Sequence, residues 1–407
     1  MGLERVMAVK QALGLQFDCP VIIVAGTNGK GSPCAMLEAI LLRAGYRVGL
    51  YSKPHFLDFN ERARVGGELA SDQELVAAFD AVEAVRGDVA LTYFEFSTLA
   101  IMHLLAGARL DVVILEVGLG GRLDAVNVID ADVAIVTSID IDHTDYLGTT
   151  RDAIGFEKAG IFRPGKAAIC SDPVPPATLV AHAESIGADL WLLGRDFNYS
   201  GDKQQWNFAG RSGRRNALAY PSLRGANQLL NASAALAALE VLRLRLPVGA
   251  QEVRTGLVVV DLPGRFQVLP GRPTVILDVA HNPHAASALA QNLGNMGFHP
   301  FTYAVFGVMQ DKDIAGVIAP MVPFIDHWCV AELPSARSAQ AVELLDTIAD
   351  LAPVDGKPGE RSVTAFADPA AAFANAMSRA GENDRIVVFG SFYTVAGVMA
   401  ARKSSLH

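Results

Sequence analysis

A glycine-rich segment near the start of the chain, Gly26–Ser32 (GTNGKGS), has the residue types and spacing of a phosphate-binding loop. Glycines let the backbone curl so that several N–H groups face one anion. Lys30 adds positive charge for the outer phosphates of a nucleotide, and the Ser32 hydroxyl suits Mg²⁺ or a phosphate oxygen. The alternative is a tight strand–helix turn with an exposed lysine. We predict a nucleotide site at Asn28, Gly29, Lys30, Gly31 and Ser32.

Two further side chains follow apolar runs and are candidates for metal binding. Glu116 ends the run LDVVILE, and a carboxylate at the carboxyl end of a strand beside a phosphate loop suits Mg²⁺. His143 lies in IDIDHTD, after the run ADVAIVTSI. The alternatives are a solvated loop acid for Glu116 and a structural histidine for His143, since lone histidines often have no ligand.

A lysine on an apolar helix face is the third chemical signal. In the predicted helix TRDAIGFEKAGIF, Ile154 and Ile161 lie four residues before and three after Lys158, so all three share one face. An inward lysine needs an anionic partner or a lowered pKa, and a neutral amine reacts with CO₂ to form a carbamate. The alternative is a lysine whose stem is buried and whose ammonium reaches solvent.

Alternating apolar runs and helical patterns position these residues and predict an α/β fold. Runs that are apolar throughout, such as PVIIVAG and LDVVILEVG, are typical of a parallel sheet covered on both faces. The stretch from about residue 170 to 224 is irregular and is predicted to decorate the first domain. Two Pro-Gly pairs in VVDLPGRFQVLPGRP break the periodicity. We predict two domains, 1–265 and 266–407.

Composition limits the function classes. The 407 residues are 51% hydrophobic and carry a formal net charge of −9, which argues against a broad nucleic-acid or anionic-membrane surface. No apolar run reaches the ~20 residues that span a bilayer. The four cysteines have no CxxC spacing, so we expect reduced thiols in a cytoplasmic protein.

Ordered motifs along the chain resemble one family. Gly31 separates Lys30 from Ser32, unlike the common P-loop, and GTNGKGS is similar to the ATP loop of the Mur ligase superfamily. YSKPHFLDFNERARV, LTYFEFSTLA, LDVVILEVGLGGRLDAVN, SIDIDHTDYLG, EKAGIFRPGK, LPGRFQ, DVAHNPHA and GSFYTVA follow in the order of the bacterial dihydrofolate synthase/folylpolyglutamate synthases. The resemblance covers nearly the whole chain.

This resemblance implies a fold and an activity. A P-loop parallel-sheet ATPase domain is followed by a smaller Rossmann-like α/β domain, which closes over ATP and contributes to glutamate binding. ATP, with Mg²⁺, converts a substrate carboxylate to an acyl phosphate, which the amine of L-glutamate attacks. The expected acceptors are dihydropteroate and tetrahydrofolate with its polyglutamates, and the expected oligomeric state is a monomer.

The resemblance also assigns roles to residues. It implies that Lys158 is carboxylated and supports the metal site. The catalytic set becomes Lys30, Lys158, His143 and Arg265, and the metal set Glu116, His143 and Ser32. Asn231 would reach the base of ATP, while Arg265, Asp278 and His281 would bind nucleotide from the second domain. The substrate set is Phe94, for stacking on the pterin ring, Asp124, for its N–H groups, Pro54 and His55; Phe94 as core packing and Asp124 as a turn cap are the alternatives.

Three departures from the family pattern leave questions open. Lys53 stands where the family commonly has a metal-ligating serine, and its ammonium either replaces metal charge or points away. Pro33 removes one possible phosphate donor but is acceptable in the first turn of a helix. The start of the sequence resembles an internal part of the family's N-terminal region, with an open effect on the pterin pocket. A monofunctional folylpolyglutamate synthase and a non-catalytic nucleotide-binding protein are the rival interpretations.

Overall fold

The computed structural model describes residues 2–202, 204–225, 227–352 and 361–404. The chain forms two compact units. Unit 1 comprises Met1–Ser222 and Asn227–Asp261, and unit 2 comprises Leu223–Ala226 and Leu262–His407. The change of unit at Asp261 lies a few residues before the predicted domain boundary at 265/266.

Unit 1 alternates strands and helices along most of its length, as the runs of apolar residues predict. Its strands are β1 (Val21–Ala25), β2 (Val48–Tyr51), β3 (Ala63–Val65), β4 (Glu68–Leu69), β5 (Val112–Glu116), β6 (Val133–Val136), β7 (Ala167–Cys170), β8 (Asp189–Leu192), β9 (Asn198–Gly201), β10 (Trp206–Ala209) and β11 (Arg214–Leu218). Its helices are α1 (Glu4–Ala12), α2 (Gly31–Arg43), α3 (Asp72–Arg86), α4 (Tyr93–Ala106), α5 (Thr144–Leu147), α6 (Arg151–Ala159), α7 (Ala177–Ser185), α8 (Gln228–Val241) and α9 (Ala250–Val259), with 3₁₀ turns at Phe59–Arg62 and Ala125–Val128.

The main sheet of unit 1 has the order β4-β3-β2-β5-β1-β6-β7-β8. Strands β2, β5, β1, β6, β7 and β8 are parallel, and β3 and β4 add an antiparallel edge. Every residue of β1 and β5 is buried, as expected for central strands covered on both faces. The carboxyl ends of these strands therefore form one edge, where ligands of open α/β sheets bind.

The middle of the chain differs from the sequence interpretation. Strands β7 and β8 are parallel members of the main sheet, so the first part of this stretch belongs to the scaffold of unit 1. Only the antiparallel sheet β11-β10-β9 is a separate addition. The four-residue runs of β7 and β8 are too short to give a clear period, and their pairing with β6 settles their structure.

Unit 2 is a second α/β layer structure, as predicted. Its sheet has the order β12-β13-β17-β14-β15-β16, parallel except for the edge strand β12. The strands are β12 (Gln267–Leu269), β13 (Thr274–Leu277), β14 (Thr302–Phe306), β15 (His327–Ala331), β16 (Ser362–Phe366) and β17 (Arg385–Phe389). The helices are α10 (Pro283–Gly294), α11 (Ile314–Ile318), α12 (Ala341–Leu351), α13 (Pro369–Arg379) and α14 (Phe392–Ser404), with a 3₁₀ segment at Ala319–Phe324.

The four cysteines are free thiols, as expected. Within the described ranges, none of the helices combines the length and apolar character needed to cross a bilayer.

A glycine on α9 sets how closely that helix approaches α2, the helix that begins in the glycine-rich segment. A methyl group added at Gly256 would lie 2.6 Å from Ile40 Cα and 2.8 Å from Ile40 N. Backbone atoms cannot retreat unless the helices separate, so we expect Gly256→Ala to lower the thermal midpoint by ~5 °C. Gly213→Ala is the control, because nothing lies within 4 Å of its added methyl. Equal midpoints for the two variants would contradict this packing argument.

Candidate active site

The glycine-rich loop connects β1 to α2 and is fastened to the end of β6. The Thr137 hydroxyl donates to the carbonyl oxygen of Asn28 at 2.7 Å, and the Thr27 N–H donates to the carbonyl oxygen of Ser138 at 2.7 Å. Gly29 has φ of +82°, a conformation that residues with a side chain rarely adopt. The loop therefore has a fixed shape at the carboxyl edge of the sheet.

The side chains of Lys30 and Ser32 differ in their hydrogen bonds to the protein. The Lys30 ammonium donates to the carbonyl oxygens of Gly26 and Thr27 at 3.0 and 3.2 Å, so it folds back over the loop. Ser32 is 1% exposed, and its Oγ has no hydrogen-bond partner among the described residues. Pro33 lies in the first turn of α2, where a missing N–H is tolerated. A buried hydroxyl without a partner is typical of a site that a ligand completes.

Glu116 is the last residue of β5 and stands level with Val24 of β1. It is 3% exposed, and its Oε2 accepts the backbone N–H of Lys53 at 3.2 Å. Nowhere in the described ranges do three His, Cys, Asp or Glu side chains gather as a metal cluster. Mg²⁺ in phosphate sites takes only one or two protein oxygens, so Glu116 and the Ser32 hydroxyl fit such an ion.

His143 has a left-handed backbone, with φ of +53° and ψ of +44°, which is uncommon outside glycine. Asp142 accepts the His143 N–H at 2.8 Å, and His143 Nε2 lies 3.9 Å from Asp142 Oδ2. Asp140, three residues before His143, is fastened to the phosphate loop. Its carbonyl oxygen accepts from the Thr27 hydroxyl and its N–H donates to the same hydroxyl, both at 3.0 Å. Strained positions of this kind concentrate at functional sites.

Lys158 is buried, which confirms the inward orientation that its helical spacing predicts. It is 3% exposed and belongs to α6. Burial and, to a smaller extent, the Lys30 charge lower the pKa of Lys158 from 10.5 to about 7, while Asp142 acts in the opposite direction. Near neutral pH much of this amine is therefore uncharged and nucleophilic, as carbamate formation requires.

Asn231 lies against the phosphate loop. It is 5% exposed on α8, and a methyl group added at Gly29 would lie 3.0 Å from its Oδ1. Its amide nitrogen is 3.2 Å from Gln228 Oε1. The side chain thus touches the loop itself, and its contact with a nucleotide base stays a prediction.

Phe94 and Asp124 come together at Gly118, as expected for one site. A methyl group at Gly118 would lie 2.9 Å from the Phe94 ring and 3.2 Å from Asp124 Oδ2. Asp124 is 4% exposed and caps the turn at Ala125–Val128: its Oδ1 accepts from Val126 N–H at 3.0 Å. Its Oδ2 accepts from the N–H groups of Gly118 and Leu119 at 2.9 and 3.0 Å. Oδ1 therefore has more remaining capacity to accept a ligand N–H.

Lys53 points into this same region with its ammonium, while its backbone N–H contacts the Glu116 carboxylate. The ammonium lies 4.2 Å from the centre of the Tyr51 ring and 4.4 Å from that of Phe94. Asp124 Oδ1 is 3.8 Å away, and the Lys53 side chain is 6% exposed. Among the described residues, Lys53 Nζ has no hydrogen-bond partner. We call Tyr51, Phe94 and Asp124 the Lys53 cage.

The loop after Lys53 has a fixed internal structure. The Glu61 carboxylate accepts the N–H groups of Phe56 and Leu57 at 2.7 and 2.8 Å. His55 Nδ1 accepts from Arg62 Nε at 2.8 Å, and burial together with the Arg62 charge lowers the pKa of His55. His55 is therefore a neutral imidazole at neutral pH, and Pro54 beside it is exposed.

In unit 2, Arg265 and Asp278 belong to one local arrangement. The Asp278 carboxylate follows β13 and accepts the N–H groups of Phe266 and Ala280, each at 2.8 Å. Burial raises the pKa of Asp278. The Arg265 guanidinium lies 5.1 Å from the Phe392 ring centre, and His281 Nδ1 is 2.7 Å from the Val279 carbonyl oxygen. Asp278 thus fixes the loop that carries Arg265.

Several residues that shape the site are not singled out by the sequence reasoning. Thr137 and Ser138 follow β6 directly and fasten the phosphate loop, so their position after an apolar run was a usable signal. Arg151 donates to the Ile139 carbonyl oxygen at 2.8 Å and to both oxygens of Asp172 at 3.0 Å. No local pattern links Arg151 to Asp172, because they meet only through the folded sheet.

Both halves of the chain match known families. Residues 24–239 match the Mur ligase middle domain, and residues 264–392 match the Mur ligase, glutamate ligase domain. The dihydrofolate synthase/folylpolyglutamate synthase of Escherichia coli (strain K12) is 45% identical over 400 residues, covering 98% of this chain and 90% of that protein. The protein of the same name from Mycobacterium tuberculosis is 35% identical over 369 residues, covering 83% and 75%.

Solved structures of proteins with the same activities are also similar to this chain. Escherichia coli FolC in complex with DHPP and ADP has a TM-score of 0.93 and 44% identity, covering 100% of this chain and 94% of that one. A bifunctional folylpolyglutamate synthase/dihydrofolate synthase with Mn, AMPPNP and L-glutamate bound has a TM-score of 0.90 and 44% identity, covering 99% and 94%.

Proposed function

The chain belongs to the dihydrofolate synthase/folylpolyglutamate synthase family of Mur ligases, and on that premise we propose that it adds L-glutamate to dihydropteroate and to tetrahydrofolate and its polyglutamates. It is an ATP-dependent acid–amino-acid ligase. The observation that carries this proposal is whole-length similarity to bifunctional relatives, joined to a phosphate loop whose buried Ser32 hydroxyl has no described partner.

The chemistry divides into two steps. The terminal phosphoryl group of ATP passes to the acceptor carboxylate, which gives an acyl phosphate and ADP. The amine of glutamate then attacks the acyl carbon, the amide bond forms and phosphate leaves. Positioning and charge neutralisation carry such reactions, so no covalent enzyme nucleophile is needed.

We assign Lys30 and the loop N–H groups to the ATP phosphates. Ser32, Glu116 and His143 are the proposed metal-site residues, and bound Mg²⁺ would neutralise phosphate charge there. Lys158 is proposed to act as a carbamate that supports this site, because its buried amine has a pKa of about 7. Arg265, Asp278, His281 and Asn231 stay proposed nucleotide contacts, and Phe94, Asp124, Pro54 and His55 stay proposed substrate contacts.

A monofunctional folylpolyglutamate synthase is the rival proposal, and activity with dihydropteroate distinguishes the two. We further propose a cytoplasmic location, where four free cysteines stay reduced. A monomer is the expected oligomeric state.

ADP release tests the function directly. The purified protein is given ATP, Mg²⁺ and L-glutamate with dihydropteroate, with tetrahydrofolate or with no acceptor, and products are identified by mass spectrometry. We expect acceptor- and glutamate-dependent ADP release with both acceptors, and products one glutamate heavier. Release with tetrahydrofolate alone would leave the monofunctional candidate, and no acceptor-dependent release would refute the ligase.

A further inference from the structure

The Lys53 ammonium is a buried cation whose hydrogen-bonding capacity is unused in the structure. Its side chain is 6% exposed, and Nζ has no hydrogen-bond partner in the part of the chain that the structure describes. Two aromatic faces at 4.2 and 4.4 Å supply cation–π attraction but accept no conventional hydrogen bond. A desolvated ammonium with three unsatisfied N–H donors is costly, so an acceptor is missing from this environment.

The charge balance of the cage indicates what kind of acceptor is missing. Asp124 Oδ1 lies 3.8 Å from Lys53 Nζ, so a negative charge already offsets the ammonium. A second anion there would be repelled by Asp124, whereas a neutral carbonyl oxygen would not. A ligand oxygen without formal charge therefore fits better than a carboxylate or a phosphate.

Donor and acceptor lie side by side in the cage. Asp124 Oδ1, which accepts one backbone N–H, can accept another, and Lys53 Nζ can donate beside it. Such a pair matches a ring that carries an N–H next to a carbonyl oxygen. Phe94 and Gly118 are only half-buried, so this is the side from which we expect a flat ring to approach the pair.

We propose that Lys53 recognises the 4-oxo group of the pterin ring. Its ammonium donates a hydrogen bond to the carbonyl oxygen, and Asp124 accepts one from the adjacent ring N–H. This inference rests on the proposed function and deepens it. Lys53 is then a specificity-determining residue for the acceptor, distinct from the groups that bind ATP.

The test compares two ligands and two side chains. Equilibrium dissociation constants are measured, with ADP present, for dihydropteroate and for its analogue with an amino group in place of the 4-oxo oxygen. Lys53→Met keeps the length and apolar stem within the aromatic cage but removes the donors. We expect this change to weaken dihydropteroate binding by ~10-fold to 100-fold, the range of a charge-assisted hydrogen bond. The wild-type preference for the 4-oxo ligand should disappear in the variant.

Affinity for ADP is the internal control, and it should be unchanged in Lys53→Met. Lys166→Met is the matched control for loss of a lysine, since Lys166 is half-exposed and pairs with Asp132 at 2.9 Å. If the methionine variant loses ADP binding through misfolding, Lys53→Ser takes its place with the same expectations. Equal or tighter binding of dihydropteroate by the substituted protein would overturn the inference. Because ADP release by the unmodified protein is measured separately, that outcome is distinguishable from failure of the proposed function.

Discussion

Replacing Lys158 with methionine should reduce turnover by ~10²-fold to 10³-fold, the scale of losing a group that orients or supports a catalytic metal site. The same variant should fold at least as well as the wild type, because methionine fills the buried space without a charge. Steady-state ADP release and the thermal midpoint are the two measurements. Lys166→Met serves as control, since its half-exposed side chain pairs with Asp132 at the surface. Full turnover in Lys158→Met would remove the carbamate assignment.

The carbamate itself has a direct readout. Isotopically labelled bicarbonate should give a carbamate resonance in the wild type and in Lys166→Met, but not in Lys158→Met. CO₂ reacts only with the neutral amine, so the resonance should fade as the pH falls below about 7, the pKa to which burial lowers Lys158. Partial recovery of turnover in Lys158→Ala by a short carboxylate would support the same role.

The lowered pKa also has a consequence for stability, whose sign is fixed. Unfolded Lys158 has a pKa near 10.5 and the folded side chain one of about 7, so the unfolded chain binds more protons between these values. The free energy of unfolding therefore rises with pH between about 7 and 10.5. Below pH 7 the charged Lys158 destabilises the folded protein by its full amount. In CO₂-free buffer, Lys158→Met should gain most over the wild type below pH 7.

The second large effect is expected at Lys30. Lys30→Met should lower kcat/KM for ATP by ~10³-fold, because a point charge on the transferring phosphoryl group is lost. The Lys30 ammonium also bonds to the carbonyl oxygens of Gly26 and Thr27, so loop structure must be tested separately. The thermal midpoint and the affinity for dihydropteroate should stay near wild-type values. A kcat/KM within threefold of wild type would assign Lys30 to loop structure alone.

Features that depend on a local sequence pattern could be predicted from the sequence. The apolar run before Gly26 and the helical pattern after it specify a strand, a turn and a helix, and the structure has β1 and α2 there. Lys158 is predicted to face inward because a period of 3.6 residues places it beside Ile154. The structure confirms that Lys158 is buried. These features depend on neighbours a few residues away.

What depends on distant partners is not readable in the same way. The direction of the Lys53 side chain depends on Phe94 and Asp124, which come from two other segments of the chain. A long flexible stem reaches either toward a metal site or away from it, and only the folded surroundings decide. The membership of β7 and β8 in the main sheet likewise follows from pairing with β6, not from their short apolar runs.

The position of β1 in the sheet has a consequence for synthesis of the chain on the ribosome. β1 lies between β5 and β6, so its partners begin at Val112 and Val133, long after Ala25 has been made. At ~5–20 residues per second, the apolar segment that leads into the phosphate loop waits on the order of ten seconds for both neighbours. During that interval Val21–Ala25 is an unpaired hydrophobic strand in the nascent chain. The strand that leads into the glycine-rich loop is therefore exposed to wrong association before the sheet is complete.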